Sequence, residues 1–160
     1  MIDMASKIDA IDLRLLAVLQ KDGSLSQREL ADRVGVSQNA CWRRLQRLTA
    51  DGLLQGTRAR IDMRALGFDL TVFVMIRTRH HSRDWSEKFR KHVERIPEVM
   101  DFHRIGGEWD YMIKVVTCGM SGYDAFYQKL IAGFDLATVT GIFSMEGIIE
   151  DRVADLRKLT

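Results

Sequence analysis

The sequence predicts an α+β protein with two domains, an N-terminal winged helix-turn-helix and a C-terminal ferredoxin-like βαββαβ domain. Three closely spaced helical patterns, separated by cap and turn residues, occupy the first 60 residues. In the last 100 residues a strand–helix–strand pattern occurs twice, with an offset of about 40 residues. We place the first domain at residues 1–62, a connector containing Gly67 at 63–69 and the second domain at 70–160.

The composition is that of a globular protein with a core of its own. Of 160 residues, 46% are hydrophobic and 29% are charged. The longest apolar run, residues 70–76, is far shorter than the roughly 20 residues of a membrane span. The first seven residues lack a signal-peptide pattern, and Cys41 and Cys118 do not form a disulfide framework. We therefore expect a cytoplasmic protein with reduced thiols and no membrane partner.

The first three helices are marked by their caps. Apolar residues at helical spacing predict a helix over residues 7–21. Ser26 and Glu29 have the spacing of a capping box, which begins a second short helix. Gly35 suits the left-handed position that ends this helix, and Ser37 can cap the third.

The third helix, Gln38–Ala50, has one apolar face and one face suited to nucleic acid. Cys41, Leu45 and Leu48 share one side, whereas amide and guanidinium side chains lie opposite or on the flank. Such groups recognise base edges and bind phosphates. The segment 37–60 also contains five arginines and a single acidic residue. The predicted contacts to double-stranded DNA are Ser37, Gln38, Asn39, Arg43, Gln46, Arg47, Arg58 and Arg60.

Residues 52–60 predict a small β-hairpin, the wing, which would carry Arg58 and Arg60 to the DNA backbone. Trp42, at the side of the third helix, is expected to pack against this hairpin. The alternative for the whole domain is a three-helix protein-interaction module with an ordinary charged surface.

The second domain is predicted from alternating strand and helix patterns. The strands are residues 71–78, 99–105, 111–117 and 138–145, and the helices are residues 84–96 and 123–134. Two interleaved βαβ units give a four-stranded antiparallel sheet with both helices on one face. The other face has no helix of its own, which predicts dimerisation through the sheet.

The segment from Gly106 to Tyr111 is the candidate ligand loop. Adjacent glycines expose backbone amides that can bind a carboxylate, while Glu108 and Asp110 can hold an ammonium group. Together these features suit a free amino acid; the alternative is a hairpin with charged tips. The adjacent His80 and His81 point to opposite sides of a strand end and are interpreted as surface or interface residues, so no metal or cofactor is expected.

Taken together, these residues resemble the Lrp/AsnC family of bacterial and archaeal transcription regulators. The resemblance rests on residues 11–16, 19–23, 30–37, 52–56 and 107–111, together with Cys41, Arg44 and Leu45. It implies an amino-acid-responsive, nucleoid-associated DNA-binding protein that dimerises through its sheet and often forms octamers of four dimers. The implied effector-binding residues are Gly106, Gly107, Glu108, Trp109, Asp110, Tyr111, Met120 and Ser121.

Within this family, the second domain resembles a subgroup that responds to cysteine and controls its degradation. The resemblance is carried by residues 78–82, Trp85, and residues 97–99, 123–127 and 144–146. It makes cysteine the first candidate effector. Leucine, alanine and other small or apolar amino acids are left open, as is the choice among dimer, tetramer and octamer.

Two other functions share this architecture. Some siroheme decarboxylases resemble the family, but we find no nucleophile–base pair and no phosphate loop, and the third helix keeps its arginines; the chain is therefore predicted not to be an enzyme. A nucleoid-type protein that binds DNA of any sequence is the third possibility.

Overall fold

The computed structural model describes residues 8–159, which form two compact units. The first unit contains the described residues up to Arg60 together with those from Ile149 onward, and the second is Ile61–Ile148. The sequence analysis assigned the residues from Ile149 onward to the second domain, whereas the structure groups them with the first unit. The chain therefore crosses between the units twice, at residues 60–61 and 148–149.

The first unit begins with three helices, α1 (Ala10–Lys21), α2 (Gln27–Val34) and α3 (Gln38–Ala50). The predicted start of the first helix at Lys7 lies outside the described residues. The predicted capping box of α2 is confirmed, because Ser26 accepts the Glu29 amide and Glu29 accepts the Ser26 amide. Gly35 ends α2 with φ +75°, the conformation that the sequence predicts.

The segment after α3 does not form the predicted β-hairpin. Among residues 53–62 no strand is present. Instead the amides of Leu53 and Leu54 both donate to the carbonyl oxygen of Leu48, at 2.9 and 3.0 Å. These amides close the end of α3 and are therefore not available for pairing along a strand. With no hairpin to pack on, Trp42 keeps 52% of its surface exposed.

The core of the first unit is small. Its buried cluster consists of Leu15 from α1, Leu30, Ala31 and Val34 from α2, and Cys41 from α3. Burial raises the pKa of the Cys41 thiol, so this cysteine stays protonated and packs as a small apolar residue. A short 3-10 helix, Leu156–Leu159, also belongs to this unit.

The second unit has the predicted ferredoxin-like topology. Its elements are β1 (Leu70–Thr78), α4 (Arg83–Val93), β2 (Val99–Arg104), β3 (Tyr111–Thr117), α5 (Gly119–Ile131) and β4 (Leu136–Phe143). The strands form one antiparallel sheet in the order β2-β3-β1-β4. No helix in the described part of the chain is long and apolar enough to cross a membrane.

Both helices pack on the same face of this sheet, as predicted. Phe89 of α4 and Phe126 of α5 share a buried cluster with alternate residues of β1 and β3. The opposite face carries the intervening side chains, and no helix of the described unit covers them. Its apolar members are Phe73, Met75, Met112, Val116 and Ile142.

Candidate nucleic-acid interface and effector site

Helix α3 presents a polar face to solvent. Cys41 and Leu48 are buried, whereas Asn39, Arg43 and Gln46 are exposed. This division follows from the helical period, because residues on opposite sides of a helix cannot pack against the same core. These exposed side chains are an asparagine amide, a glutamine amide and a guanidinium, which are hydrogen-bonding groups suited to adenine and guanine edges.

The start of α3 is fixed by two hydrogen bonds. The Ser37 hydroxyl accepts the Ala40 amide at 3.2 Å, so this predicted DNA contact also serves as the helix cap. The Gln38 carbonyl oxygen accepts a hydrogen bond from the side-chain amide of Gln27 at 3.0 Å. The α2–α3 turn is therefore held by side chains as well as by its backbone.

A buried carboxylate on α1 holds the body of α3. Asp12 is fully buried, and its Oδ1 lies 2.8 Å from Arg44 Nη1. The same Arg44 nitrogen lies 2.6 Å from Asp9 Oδ2, and Arg47 pairs with Asp12 Oδ2. The pKa of Asp9 is lowered, first by the hydrogen bond from the Asp12 amide and also by Arg44. The two carboxylates in turn raise the pKa of Arg44.

This network was not predicted from the sequence, and it includes one of the predicted DNA contacts. Arg47 pairs with Asp12 and keeps 42% of its side chain exposed. An acidic residue inside the apolar pattern of α1, with arginines on α3, was the available signal for the network.

The two predicted wing arginines stand apart from this network. Arg58 and Arg60 line a cleft along α1 of about 840 Å³, to which Leu156 and Leu159 also contribute. Arg60 is 84% exposed at its side chain and lies 3.8 Å from Asp151, a separation at which solvent screens most of the attraction.

In the second unit, Arg77 holds the loop from Gly106 to Tyr111. Its Nε donates to the Glu108 carbonyl oxygen at 3.0 Å, and its Nη2 lies 3.1 Å from Glu108 Oε1. The guanidinium also lies over the Trp109 ring, 5.3 Å from the centroid. Gly107 has φ +112°, which only glycine adopts without strain. The Glu108 carboxylate thus already has a cationic partner.

Asp110 and Tyr111 anchor the end of the loop. Asp110 Oδ2 accepts the Thr78 amide at 2.8 Å, and the Asp110 amide donates to the Ile76 carbonyl oxygen at 2.9 Å. Tyr111 is only 7% exposed, and its hydroxyl donates to Ser86 Oγ at 3.4 Å. Asp110 Oδ1 is turned instead toward His81, at 3.9 Å.

The structure does not bring the two predicted effector segments together within one chain. Met120 and Ser121 lie exposed in the first turn of α5, which follows the end of β3, whereas the loop precedes its start. A strand of this length separates its two ends by about 20 Å. Within one chain, the two segments therefore do not surround a single small ligand.

The adjacent histidines diverge, as predicted. His80 Nε2 lies 3.7 Å from Asp135, whereas His81 Nδ1 lies 3.9 Å from Asp110. His80 also stacks on Trp85, with ring centroids 5.9 Å apart.

Each unit matches a known protein family. Residues 8–55 match a family described as winged helix-turn-helix DNA-binding, and residues 71–154 match the Lrp/AsnC ligand binding domain. Fold and site therefore define a DNA-binding transcription regulator that carries a ligand-binding domain. The chain belongs to the Lrp/AsnC family of transcription regulators.

Three relatives illustrate the similarity. The DNA-binding transcriptional activator DecR of Escherichia coli is 44% identical over 142 residues, which cover 88% of this chain and 93% of DecR. The glutamate uptake regulatory protein of Zymomonas mobilis is 39% identical over 153 residues, which cover 96% of this chain and 93% of that protein. The crystal structure of a Neisseria meningitidis transcriptional regulator in complex with L-methionine has a TM-score of 0.88 at 26% identity. The match covers 96% of this chain and 99% of that chain.

Proposed function

We propose that this protein binds specific promoter sequences through α3 and that a small amino acid, cysteine first among the candidates, changes its assembly and its DNA binding. In this proposal it acts on nucleoid DNA in the cytoplasm and is not an enzyme. The observation that carries the proposal is the exposed face of α3, with Asn39, Arg43 and Gln46, on a helix fixed by the buried Asp12.

The polar face of α3 supports recognition of sequence as well as attraction to DNA. In a helix-turn-helix protein the second helix of the motif lies in the major groove, and its N-terminal residues reach the base edges. Asn39 and Arg43 lie in the first half of α3, where such contacts are made. Arg58 and Arg60 supply positive charge suited to phosphates, which adds affinity without selecting a sequence.

The direct test compares Arg43→Ala with Arg95→Ala in the full chain. Each variant loses one guanidinium, but Arg95 is an exposed residue of the second unit. Fluorescence anisotropy on promoter DNA should show a loss of about 5- to 150-fold for Arg43→Ala, the range of one bidentate base contact. Arg95→Ala should bind like the parent. Equal binding by all three proteins would contradict the proposal.

The effector proposal rests on the loop 106–111 and on the family. A relative crystallised with L-methionine supports an amino acid ligand, and the match to the Lrp/AsnC ligand binding domain supports a ligand site in this unit. Exposed amides at Gly106 and Gly107 suit its carboxylate. Since Met120 and Ser121 lie at the far end of β3, the complete site would need two chains.

This arrangement requires self-association, which the bare face of the sheet supports. We propose a dimer formed through the face that carries Phe73, Met75 and Ile142, and higher assemblies formed from such dimers. Sedimentation with and without cysteine, leucine or alanine tests both parts. A monomer under all conditions would contradict the assembly proposal, and no response to any of the three would contradict the effector proposal.

The two alternative functions have distinct outcomes. A nucleoid-type protein would bind promoter and random DNA equally, with steep salt dependence. A siroheme-decarboxylase-like enzyme would bind a tetrapyrrole and change its absorbance. The proposal predicts neither result.

A further inference from the structure

The ligand-binding unit contains a cleft whose lining does not include the glycines of the effector loop, and from it we infer a further ligand site. The cleft between α4 and the edge strand β2 binds a small dicarboxylate, an anion with two carboxylates on a short carbon chain. This site shares one residue, Tyr111, with the effector-binding residues named above.

The cleft has the size of a small-molecule site. Its volume is about 430 Å³, within the usual range of such pockets. Arg83, Ser86, Glu87 and Arg90 recur at helical spacing and therefore lie along one face of α4. On the sheet side the lining residues are Phe102, Arg104 and Tyr111. His81, which precedes α4 in the chain, completes the lining.

The charges in the cleft favour an anion. Three guanidinium groups line it, against the single carboxylate of Glu87. Arg83 bonds Glu87 through Nε at 3.1 Å, and Arg90 approaches Glu94 through Nε at 3.5 Å. A guanidinium carries four further N–H donors on its two Nη atoms. In the described part of the chain, Arg104 forms no ion pair. Guanidinium groups bind carboxylates through paired hydrogen bonds, so two or more of them suit two carboxylates.

Two aromatic rings also line the cleft. They favour a ligand that carries carbon atoms between its two carboxylates. Phe102 and Tyr111 lie with ring centroids 5.5 Å apart, and both pack with the core of the unit. The Tyr111 hydroxyl and Ser86 Oγ, 3.4 Å apart, add neutral polar groups beside these rings. An inorganic anion would leave the aromatic surface uncovered, whereas a short dicarboxylate can contact both rings and arginines.

Isothermal titration calorimetry with succinate tests this site in the full-length protein. The parent should bind succinate, and the Arg90→Gln/Arg104→Gln variant should bind it at least tenfold more weakly. Arg95→Gln, at an exposed position near the end of α4, is the matched control and should bind like the parent. Circular dichroism establishes that the variants are folded, and Arg104→Gln alone provides a milder second variant.

Two comparison ligands make the test specific. Butyrate, with one carboxylate, and sulfate, with no carbon, should both bind at least tenfold more weakly than succinate. Equal affinity for all three anions, equal binding by parent and double variant, or no binding of succinate would each overturn the inference. The response to cysteine, measured in the same variants, should be retained, which separates failure of this site from failure of the loop proposal.

Discussion

The two units of this protein are stabilised in different ways. The ligand-binding unit has eleven buried residues in one cluster, including Phe89, Phe126 and three β-strand residues of β1. Among the described residues of the DNA-binding unit, the buried cluster has five members, of which two are Ala31 and Cys41, while Leu13 and Leu48 are buried outside this cluster. The hydrophobic contribution to the free energy of unfolding grows with buried apolar area. The ligand-binding unit therefore depends on packing, and the DNA-binding unit needs additional contacts.

Polar contacts supply what the small core of the DNA-binding unit lacks. Side chains cap α1, α2 and α3, and the buried Asp12 joins α1 to α3 through Arg44 and Arg47. Arginine–carboxylate pairs add geometric specificity to a contact, and α3 must present one face to a partner. The DNA-binding unit therefore uses polar contacts to hold α3 against α1, whereas the ligand-binding unit depends on apolar packing.

Stability should fall most when a buried ring is removed from the ligand-binding unit. Phe89→Ala removes a ring that contacts Trp85, Tyr111 and Phe134, at centroid distances of 5.0, 5.4 and 5.2 Å. We expect the free energy of unfolding of this unit to fall by about 3–5 kcal/mol. Hydrogen exchange of the β1 and β3 amides measures the loss, while Phe89→Leu should cost less than about 1.5 kcal/mol. Similar losses for both variants would argue against dependence on packing.

A smaller loss is expected from Asp12→Ala in the DNA-binding unit. This change leaves Arg44 and Arg47 without their buried partner and removes half of the α1 capping box. Because both guanidiniums keep access to water, we expect a cost of about 2–4 kcal/mol, near the lower end for a broken buried pair. Hydrogen exchange of the α2 and α3 amides is the measurement.

The control for this variant is Asp32→Ala, which removes an exposed carboxylate of α2. It should change stability by less than about 0.5 kcal/mol. DNA binding by Asp12→Ala should weaken as well, since α3 loses its orientation. A stable Asp12→Ala protein with parental DNA affinity would refute the role of this network.

A smaller effect is expected on the stability of α2 at acid pH, where the parent and Glu29→Gln should differ. The hydrogen bonds from Ser26 lower the pKa of Glu29 from its ordinary 4.5, and Asp9 is lowered in the same direction from 3.8. A lowered pKa contributes stability above the ordinary value, and this contribution is lost as pH falls through the folded-state pKa. The α2 amides should therefore lose protection below about pH 4.5. Glu29→Gln keeps a capping side chain and should reduce this pH dependence; an unchanged pH profile would count against the cap.

Most of the fold could be predicted because its signals are local. The cap at Ser26, the turn at Gly35 and the limits of β3 depend on neighbouring residues, and the structure agrees with each prediction. The predicted hairpin at 52–60 was wrong because glycines and arginines there do not reveal that the amides of Leu53 and Leu54 close α3.

The contacts that shape the candidate sites were less accessible from the sequence. The pairing of Asp12 with Arg47 spans 35 residues, and the contact of Arg77 with Glu108 spans 31. No periodicity or spacing identifies such partners, since they depend on how helices cross and strands pair. The residue types suited to DNA and to an amino acid were visible, whereas the partners that hold them were not.

Fluorescence anisotropy with labelled DNA from upstream of the protein's own gene measures whether α3 recognises sequence and whether an amino acid changes that binding. A random duplex of equal length at the same salt concentration is the control, and each titration is repeated with L-cysteine. We predict at least tenfold tighter binding to the upstream DNA, and a shift of that affinity by cysteine. Equal affinity for both duplexes, with and without cysteine, would contradict a ligand-responsive regulator that reads sequence through α3.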